Sequence, residues 1–142
     1  MNTLVDTSVW SFGLRRKPED LSRRERAIVA ELSELVKEGN VRIIGPVRQE
    51  LLSGLKTEGQ YEKVRAKLSA FQDEPLQTAD YESAAKASNQ CRAKGLSVSA
   101  VDILICAVAL GRNWNIFTTD PDFENYTRIL PVRLHKPRDV EK

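Results

Sequence analysis

Histidine and cysteine are scarce in this chain, which has one histidine and two cysteines in 142 residues. The histidine, His135, lies in a polar segment near the C-terminus and leaves no Ser-His-Asp or Cys-His catalytic machinery in view. The cysteines, Cys91 and Cys106, lack metal-ligand spacing and are typical of reduced thiols in or near the core. Zinc sites and nucleophilic catalysis are therefore disfavoured, and a cytoplasmic location is expected.

Long apolar runs are also absent. No stretch approaches the roughly eighteen apolar residues that a membrane helix needs, and the segment from Met1 to Val5 has no basic stretch or long apolar core, so no secretory signal is expected. A composition of 41% apolar and 30% charged residues is typical of a globular protein. The length predicts a single domain over residues 1–142, of which 135–142 form a polar tail that can fray.

The net charge of +2 is nearly neutral and indicates no partner by itself. The distribution of basic residues is more uneven, because six of them crowd into twelve positions near the N-terminus. They are Arg15, Arg16, Lys17, Arg23, Arg24 and Arg26. Such a patch can meet phosphate, but the interleaved acidic residues also fit an ordinary solvated helical face.

Apolar runs and helix breakers predict alternating strands and helices. Strands are expected at about 2–6, 41–45, 115–118 and in "RILPV" at 128–132. Helices are expected through Trp10 and Leu14, then at 21–38, 46–54, 60–71, 79–94 and 99–111. This order predicts an α/β/α sandwich with a mainly parallel central sheet, whose sites lie beyond the carboxyl ends of the strands.

Acidic residues interrupt this apolar pattern at four separate places. Asp6 follows the first strand, Glu50 lies on the helix after the second strand, and Asp102 begins the buried helix at 99–111. Asp120 follows the third strand, with Asp122 two residues later. Because the carboxyl ends of parallel strands share one edge of a sheet, these side chains can converge there.

Each position also has a purely structural explanation. Asp6, or one of the two hydroxyl residues after it, can cap the following helix. Ser99 with Asp102 is similar to a capping box, Glu50 can simply face solvent, and "TTDPDF" is a fair turn sequence. The repetition nevertheless favours a shared cation, since ionised carboxylates are seldom buried without partners. An all-oxygen ligand set suits Mg²⁺ or Mn²⁺, which would activate water for phosphodiester hydrolysis.

Four motifs in order make the chain resemble a PIN-domain ribonuclease, and in size it is similar to the VapC toxins of type II toxin-antitoxin pairs. They are "LVDTSVW", "PVRQELLSG", "SAVDILICAVAL" and "FTTDPDF". The resemblance implies that Asp6, Glu50, Asp102 and Asp120 are the catalytic metal ligands, with Asp122 an outer or second-metal contributor.

The same resemblance assigns supporting roles and partners. Hydroxyls of Thr7, Ser8, Thr118 and Thr119 would orient carboxylates and water, with Thr7 and Ser8 also free to cap the next helix. One or two Mg²⁺ or Mn²⁺ ions would serve cleavage of RNA, whose backbone the six clustered basic residues would contact. The resemblance also implies a homodimer and a VapB-like antitoxin that blocks the site. The helices between Leu21 and Phe71 could form the groove for this partner, although their apolar stripes also fit ordinary core packing.

Two other classes of phosphate-handling protein fit the sequence less well. A haloacid-dehalogenase-type phosphatase requires a second Asp two residues after the first, where this chain has Ser8. A receiver domain requires a phosphoacceptor Asp after an internal strand and a late Lys, and neither is evident. The remaining alternative is a non-catalytic binding module, in which the acidic residues only cap helices and the protein docks a partner.

Overall fold

A short parallel sheet lies at the centre of the fold in this computed structural model, which describes residues 1–138; residues 139–142 of the predicted tail lie outside the described residues. The strands are β1 (Thr3–Val5), β2 (Val41–Arg42) and β3 (Asn115–Phe117), and they pair in the order β2-β1-β3. Both neighbours of β1 run parallel to it. The prediction of an α/β fold with a parallel sheet is therefore confirmed.

Seven α-helices connect and cover the strands within residues 1–138, together with a 3₁₀ turn at Pro18–Asp20. They are α1 (Thr7–Leu14), α2 (Arg23–Lys37), α3 (Gly45–Leu52), α4 (Glu58–Leu68), α5 (Thr78–Ala93), α6 (Ala100–Arg112) and α7 (Asp122–Tyr126). Helix α5 packs along α6, which lies against β1 and β3, while α1 contacts α2 and α3. None of the described helices is long and apolar enough to cross a membrane.

Local sequence explains where several helices begin and end. Ser22 and Glu25 form a complete capping box at the start of α2. Gly39 and Gly95 follow α2 and α5 with φ angles of 73° and 80°, a left-handed conformation that favours glycine. The buried helix predicted at 99–111 is confirmed as α6, in which every residue from Ile103 to Ala109 is buried.

The predicted last strand is wrong. Residues 128–132 form a turn and an irregular segment, and the only pairing near them is one parallel bridge between Ile116 and Leu134. Pro131 has no N–H to donate to a strand ladder, and Leu130 is buried in the core after α7, together with Phe123 and Tyr126 of that helix. No helix was expected at Asp122–Tyr126, so α7 is the element that the sequence hides.

Smaller differences affect element ends. Strand β2 ends at Arg42, because Ile43 pairs only through an isolated bridge to Asp73. Helix α4 ends at Leu68 rather than at residue 71, and Ser69 and Phe71 close its last turn through N–H bonds to α4 carbonyls.

The C-terminal segment is fastened to both the sheet and α2. The N–H of Ile116 donates to the carbonyl of Arg133 at 2.8 Å, and the N–H of His135 donates to the carbonyl of Ile116 at 2.7 Å. Glu31 on α2, which is 3% exposed, contacts Nε2 of His135 at 2.6 Å and the guanidinium of Arg138 at 3.1 Å. Glu31 therefore joins α2 to the C-terminal segment through His135 and Arg138.

Candidate metal centre

The carboxyl ends of β1 and β3 place Asp6 beside the loop that follows β3. Val5 is in register with Phe117, and the N–H of Asp6 donates to the carbonyl of Phe117 at 2.9 Å. The hydroxyls of Thr118 and Ser8 both donate to Oδ2 of Asp6, at 2.7 and 2.8 Å. One carboxylate oxygen is thus held by two donors, which fixes the orientation of the other.

Asp6 is 4% exposed, and burial raises its pKa, although hydrogen bonds from Thr118 and Ser8 offset part of the rise. It occupies the N-cap position of α1, yet its side chain makes no capping hydrogen bond. The expectation that Thr7 and Ser8 cap this helix is also wrong, because their hydroxyls bind Glu50 and Asp6 instead. The side chains at the start of α1 therefore serve the strand-end cleft.

Three further carboxylates gather at the same edge of the sheet. Oxygens of Asp102, Asp120 and Asp122 all lie within 4.8 Å of one another. Burial, together with the nearby charges of Asp6 and Asp120, raises the pKa of Asp102 to about 6, although the hydrogen bond from the Tyr126 hydroxyl opposes the shift. Like charges this close repel one another unless a proton or a cation intervenes.

Hydroxyl groups shape the loop that carries Asp120. The N–H of Asp120 donates to Oγ1 of Thr118 at 3.0 Å, and the N–H of Thr119 donates to Oγ of Ser8 at 3.0 Å. The N–H of Asp122 in turn donates to Oδ1 of Asp120 at 2.9 Å. Thr118 and Ser8 therefore position the Asp6 carboxylate, while Thr118 also holds the backbone of Asp120 and Ser8 that of Thr119.

Glu50 stands apart from the three-aspartate group. It is exposed on α3, and Oγ1 of Thr7 donates to its Oε1 at 2.6 Å. This bond ties Glu50 to the residue that directly follows Asp6, although Glu50 is not one of the carboxylates that lie within 4.8 Å of one another. The structure thus brings Asp102, Asp120 and Asp122 into one compact group, with Asp6 beside them and Glu50 outside.

The donor set fits a hard divalent cation. Every candidate ligand is a carboxylate oxygen, and within residues 1–138 no lysine, arginine or histidine forms an ion pair with Asp6, Asp102, Asp120 or Asp122. Oxygen ligands without nitrogen or sulfur suit Mg²⁺ and Mn²⁺. The missing counter-charge is what such an ion would supply.

Tyr126 is a site residue that the sequence did not reveal. Its hydroxyl donates to Oδ2 of Asp102 at 2.9 Å, while Ser99 caps α6 by accepting the N–H of Asp102 at 3.1 Å. The apolar spacing of Phe123, Tyr126 and Leu130 is the signal that could have identified α7 and the direction of this ring.

The clustered basic residues lie away from the carboxylates. Helix α1 begins next to Asp6, and Arg15, Arg16 and Lys17 follow its far end, about 12 Å along a helix of this length. Together with Arg26, they line a groove of about 680 Å³ between α1, α2 and α4. Arg23 and Arg24 are exposed in the first turn of α2.

The floor of this groove is apolar, and its rim is cationic. Phe12, Leu21, Val29, Leu55 and Val64 contribute to the lining. Beside the N-terminal basic residues, α4 adds two lysines to it, Lys63 and Lys67.

Comparison with known proteins gives one family. A model of the PIN domain matches residues 3–129 of this chain. A comparison with curated protein sequences finds no match.

Solved structures share the fold at low sequence identity. FitAcB from Neisseria gonorrhoeae superposes with a TM-score of 0.74 and 21% identity over 96% of this chain and 99% of that chain. VapBC2 from Rickettsia felis, bound to a DNA fragment from their promoter, superposes with a TM-score of 0.73 and 20% identity over 95% of this chain and 98% of that chain. VapBC-5 from Mycobacterium tuberculosis, a member of the VapBC family of toxin-antitoxin systems, has a TM-score of 0.64 and 17% identity over 95% of this chain and 98% of that chain.

Proposed function

Because this chain belongs to the PIN domain family, we propose that it is a metal-dependent endoribonuclease and the toxin of a toxin-antitoxin pair. The observation that carries the nuclease role is the gathering of Asp102, Asp120 and Asp122 within 4.8 Å, with buried Asp6 beside them and no cationic partner within residues 1–138. Such a group repels an RNA backbone until a cation reverses the local charge.

Each side chain has a distinct task in this proposal. Asp6, Asp102 and Asp120 would hold Mg²⁺ or Mn²⁺, with Asp122 as an outer or second-metal ligand and Glu50 at the rim. When bound, the ion supplies acidification of water and neutralises charge on the scissile phosphate. Thr118 and Ser8 both donate to Oδ2 of Asp6, which leaves its other oxygen available as a ligand.

The nuclease proposal is tested with purified protein, RNA and either Mn²⁺ or Mg²⁺. We expect cleavage that EDTA stops, and we expect Asp6→Asn and Asp102→Asn to reduce it by at least about 100-fold while the circular dichroism spectrum stays unchanged. Asp20→Asn, an exposed carboxamide substitution in the 3₁₀ turn, is the matched control and should cleave normally. Full cleavage by both site variants would refute the shared-metal hypothesis and leave the non-catalytic binding module.

The toxin role rests on the neighbours and on the groove. Solved structures with the same fold include members of toxin-antitoxin systems. An apolar floor with a rim of Arg15, Arg16, Lys17, Lys63 and Lys67 suits an amphipathic antitoxin segment with acidic flanks. An antitoxin arginine could then reach the carboxylates as their counter-charge.

Substitution in the groove separates antitoxin binding from catalysis. We expect Val29→Arg to prevent formation of a complex with the neighbouring gene's product, because a charge replaces the apolar floor, while RNA cleavage continues. Val36→Arg lies two turns later on α2, outside the groove, and should bind normally. Expression alone should halt growth, and co-expression of that product should relieve it; normal growth would refute the toxin role but not the nuclease role.

The proposed assembly is a homodimer, as in the VapC-like proteins that the chain resembles. Sedimentation of the purified protein at two concentrations tests this, and a mass of one chain at both would contradict it. The targeted RNA is best identified by sequencing RNA ends after brief induction.

A further inference from the structure

The hydroxyl of Tyr126 reaches the candidate metal centre from below the surface. It donates to Oδ2 of Asp102 at 2.9 Å, and Tyr126 as a whole is 2% exposed. Its ring packs edge-on against Phe123, with 5.0 Å between centroids, and Phe123 is fully buried. The phenol therefore cannot turn away from Asp102 without opening the core.

The short helix α7 presents one face to Asp102. Asp122 and Tyr126 are four residues apart, which places them on the same side of a helix. A carboxylate oxygen of Asp122 lies within 4.8 Å of one of Asp102, and the Tyr126 hydroxyl bonds Asp102 directly. The chain segment that supplies Asp120 and Asp122 thus also supplies the donor that holds the carboxylate on α6.

The chemistry of the donor matters. A phenol orients a carboxylate without neutralising it, whereas lysine or arginine at the same place would cancel the charge that a cation needs. The bond from the Tyr126 hydroxyl to Oδ2 restricts rotation of the Asp102 carboxylate, which has an oxygen within 4.8 Å of oxygens of Asp120 and Asp122. Hydrogen-bond partners of this kind commonly set the orientation of metal ligands.

We infer that Tyr126 is a positioning residue for Asp102, which presents the Asp102 carboxylate to a divalent cation shared with Asp120 and Asp122. This role rests on the proposed metal-dependent function, and it extends that function to a residue outside the acidic motifs. In this role, α7 connects the loop after β3 to Asp102 in the first turn of α6.

The first test is the binding of Mn²⁺ alone, measured by isothermal titration calorimetry at one pH. Tyr126→Phe removes the hydroxyl and keeps the ring, and we expect its dissociation constant for Mn²⁺ to rise by about tenfold or more. Tyr81→Phe, the same substitution at a residue that is 54% exposed on α5, should bind as the unsubstituted protein does. Unchanged or tighter binding by Tyr126→Phe would overturn the inference.

A double-substitution cycle shows whether Tyr126 acts through Asp102. In an Asp102→Ala background, removing the Tyr126 hydroxyl should weaken Mn²⁺ binding no further, because its acceptor has gone. An equal additional loss in both backgrounds would mean a general structural effect and would contradict the positioning role.

The unsubstituted protein provides an independent readout that does not depend on how any tyrosine variant folds. With tyrosine labelled by ¹³C at Cζ, saturation with Mg²⁺ should shift the Tyr126 signal, since the charge on its hydrogen-bond acceptor changes, while Tyr61 and Tyr81 stay in place. If the Tyr126 signal does not shift at saturation with Mg²⁺, the positioning role of Tyr126 is wrong, although the proposed function would stand. If the unsubstituted protein itself does not bind Mn²⁺, both this inference and the proposed metal-dependent function are wrong.

Discussion

Thr7 and Glu50, 43 residues apart in the chain, are joined by a hydrogen bond of 2.6 Å from Oγ1 to Oε1. This bond links the first residue of α1 to α3 and holds an otherwise exposed carboxylate beside Asp6. Without it, Glu50 could adopt other rotamers in solvent at little cost.

We therefore expect Thr7→Val to lower kcat/KM for RNA cleavage by about tenfold, since the side chain keeps its shape but loses the donor. Thr7→Ser retains the hydroxyl and should cleave within about twofold of the unsubstituted protein. Initial rates on a fluorescent RNA measure both variants. Equal rates for valine and serine would show that Glu50 needs no such support.

Thr118 offers a parallel case at the centre of the site. Thr118→Val removes both the 2.7 Å bond to Asp6 and the acceptor for the N–H of Asp120. Because two ligands lose their orientation together, the cleavage rate should fall by more than in Thr7→Val, by about 100-fold. Thr118→Ser is the control, and a rate for Thr118→Val that matches it would contradict this reading of the loop.

The stability of the metal-free protein should depend on pH through Asp102. Its pKa is about 6 in the folded chain and 3.8 in the ordinary state. Between about pH 4 and 6 the unfolded chain has released a proton that the folded chain still binds, so the free energy of unfolding falls as pH rises. Water still reaches this half-buried group, so we expect a fall of about 1–2 kcal/mol. Urea denaturation should show a smaller fall for Asp102→Asn, and an equal fall would contradict the assignment.

Metal binding should show the opposite trend with pH. Protons compete with the cation for Asp102, so the affinity for Mn²⁺ should weaken as pH is lowered below about 6. Calorimetric titrations at pH 5, 6 and 7 measure this. A constant affinity across these values would mean that Asp102 does not exchange a proton for the ion.

The basic residues after α1 should contribute to RNA affinity through phosphate contacts. Replacing Arg15, Arg16 and Lys17 together with glutamine should weaken binding and reduce the slope of log affinity against log salt by about 2, at roughly 0.7 per contact for single strands. The measurement uses an Asp102→Asn background to prevent cleavage. Lys37→Gln, at the end of α2, should leave the slope unchanged.

The contact between buried Glu31 and His135 should contribute to the stability of the fold. His135→Ala deprives a carboxylate that is 3% exposed of one of its partners, and we expect a loss of about 1–3 kcal/mol in unfolding free energy. Lys136→Ala, an exposed neighbour, should change little. If His135→Ala unfolds at the same urea concentration as the control, the contact contributes nothing to stability.

Sequence patterns were sufficient where periodicity and chain breakers coincide. The apolar helix α6, the amphipathic helix α2 and the carboxylates at strand ends follow from local residues, and the architecture follows from their order. The partner of Asp102 was missed because "DFENY" is short, and its apolar spacing becomes helical only when Leu130 is counted with Phe123 and Tyr126. The strand predicted at 128–132 is wrong for a related reason, since tertiary packing buries Leu130 and Val132 in the turn and irregular segment that follow α7.

The two hydrogen bonds that Ile116 exchanges with Arg133 and His135 cover the outer edge of β3. An uncovered parallel strand is a template for pairing with another chain. Deleting the segment from residue 133 onward would therefore leave the N–H and C=O of Ile116 unpaired at the edge of β3, just before Thr118 and Asp120. The C-terminal segment thus protects the sheet that carries the acidic cleft from intermolecular aggregation.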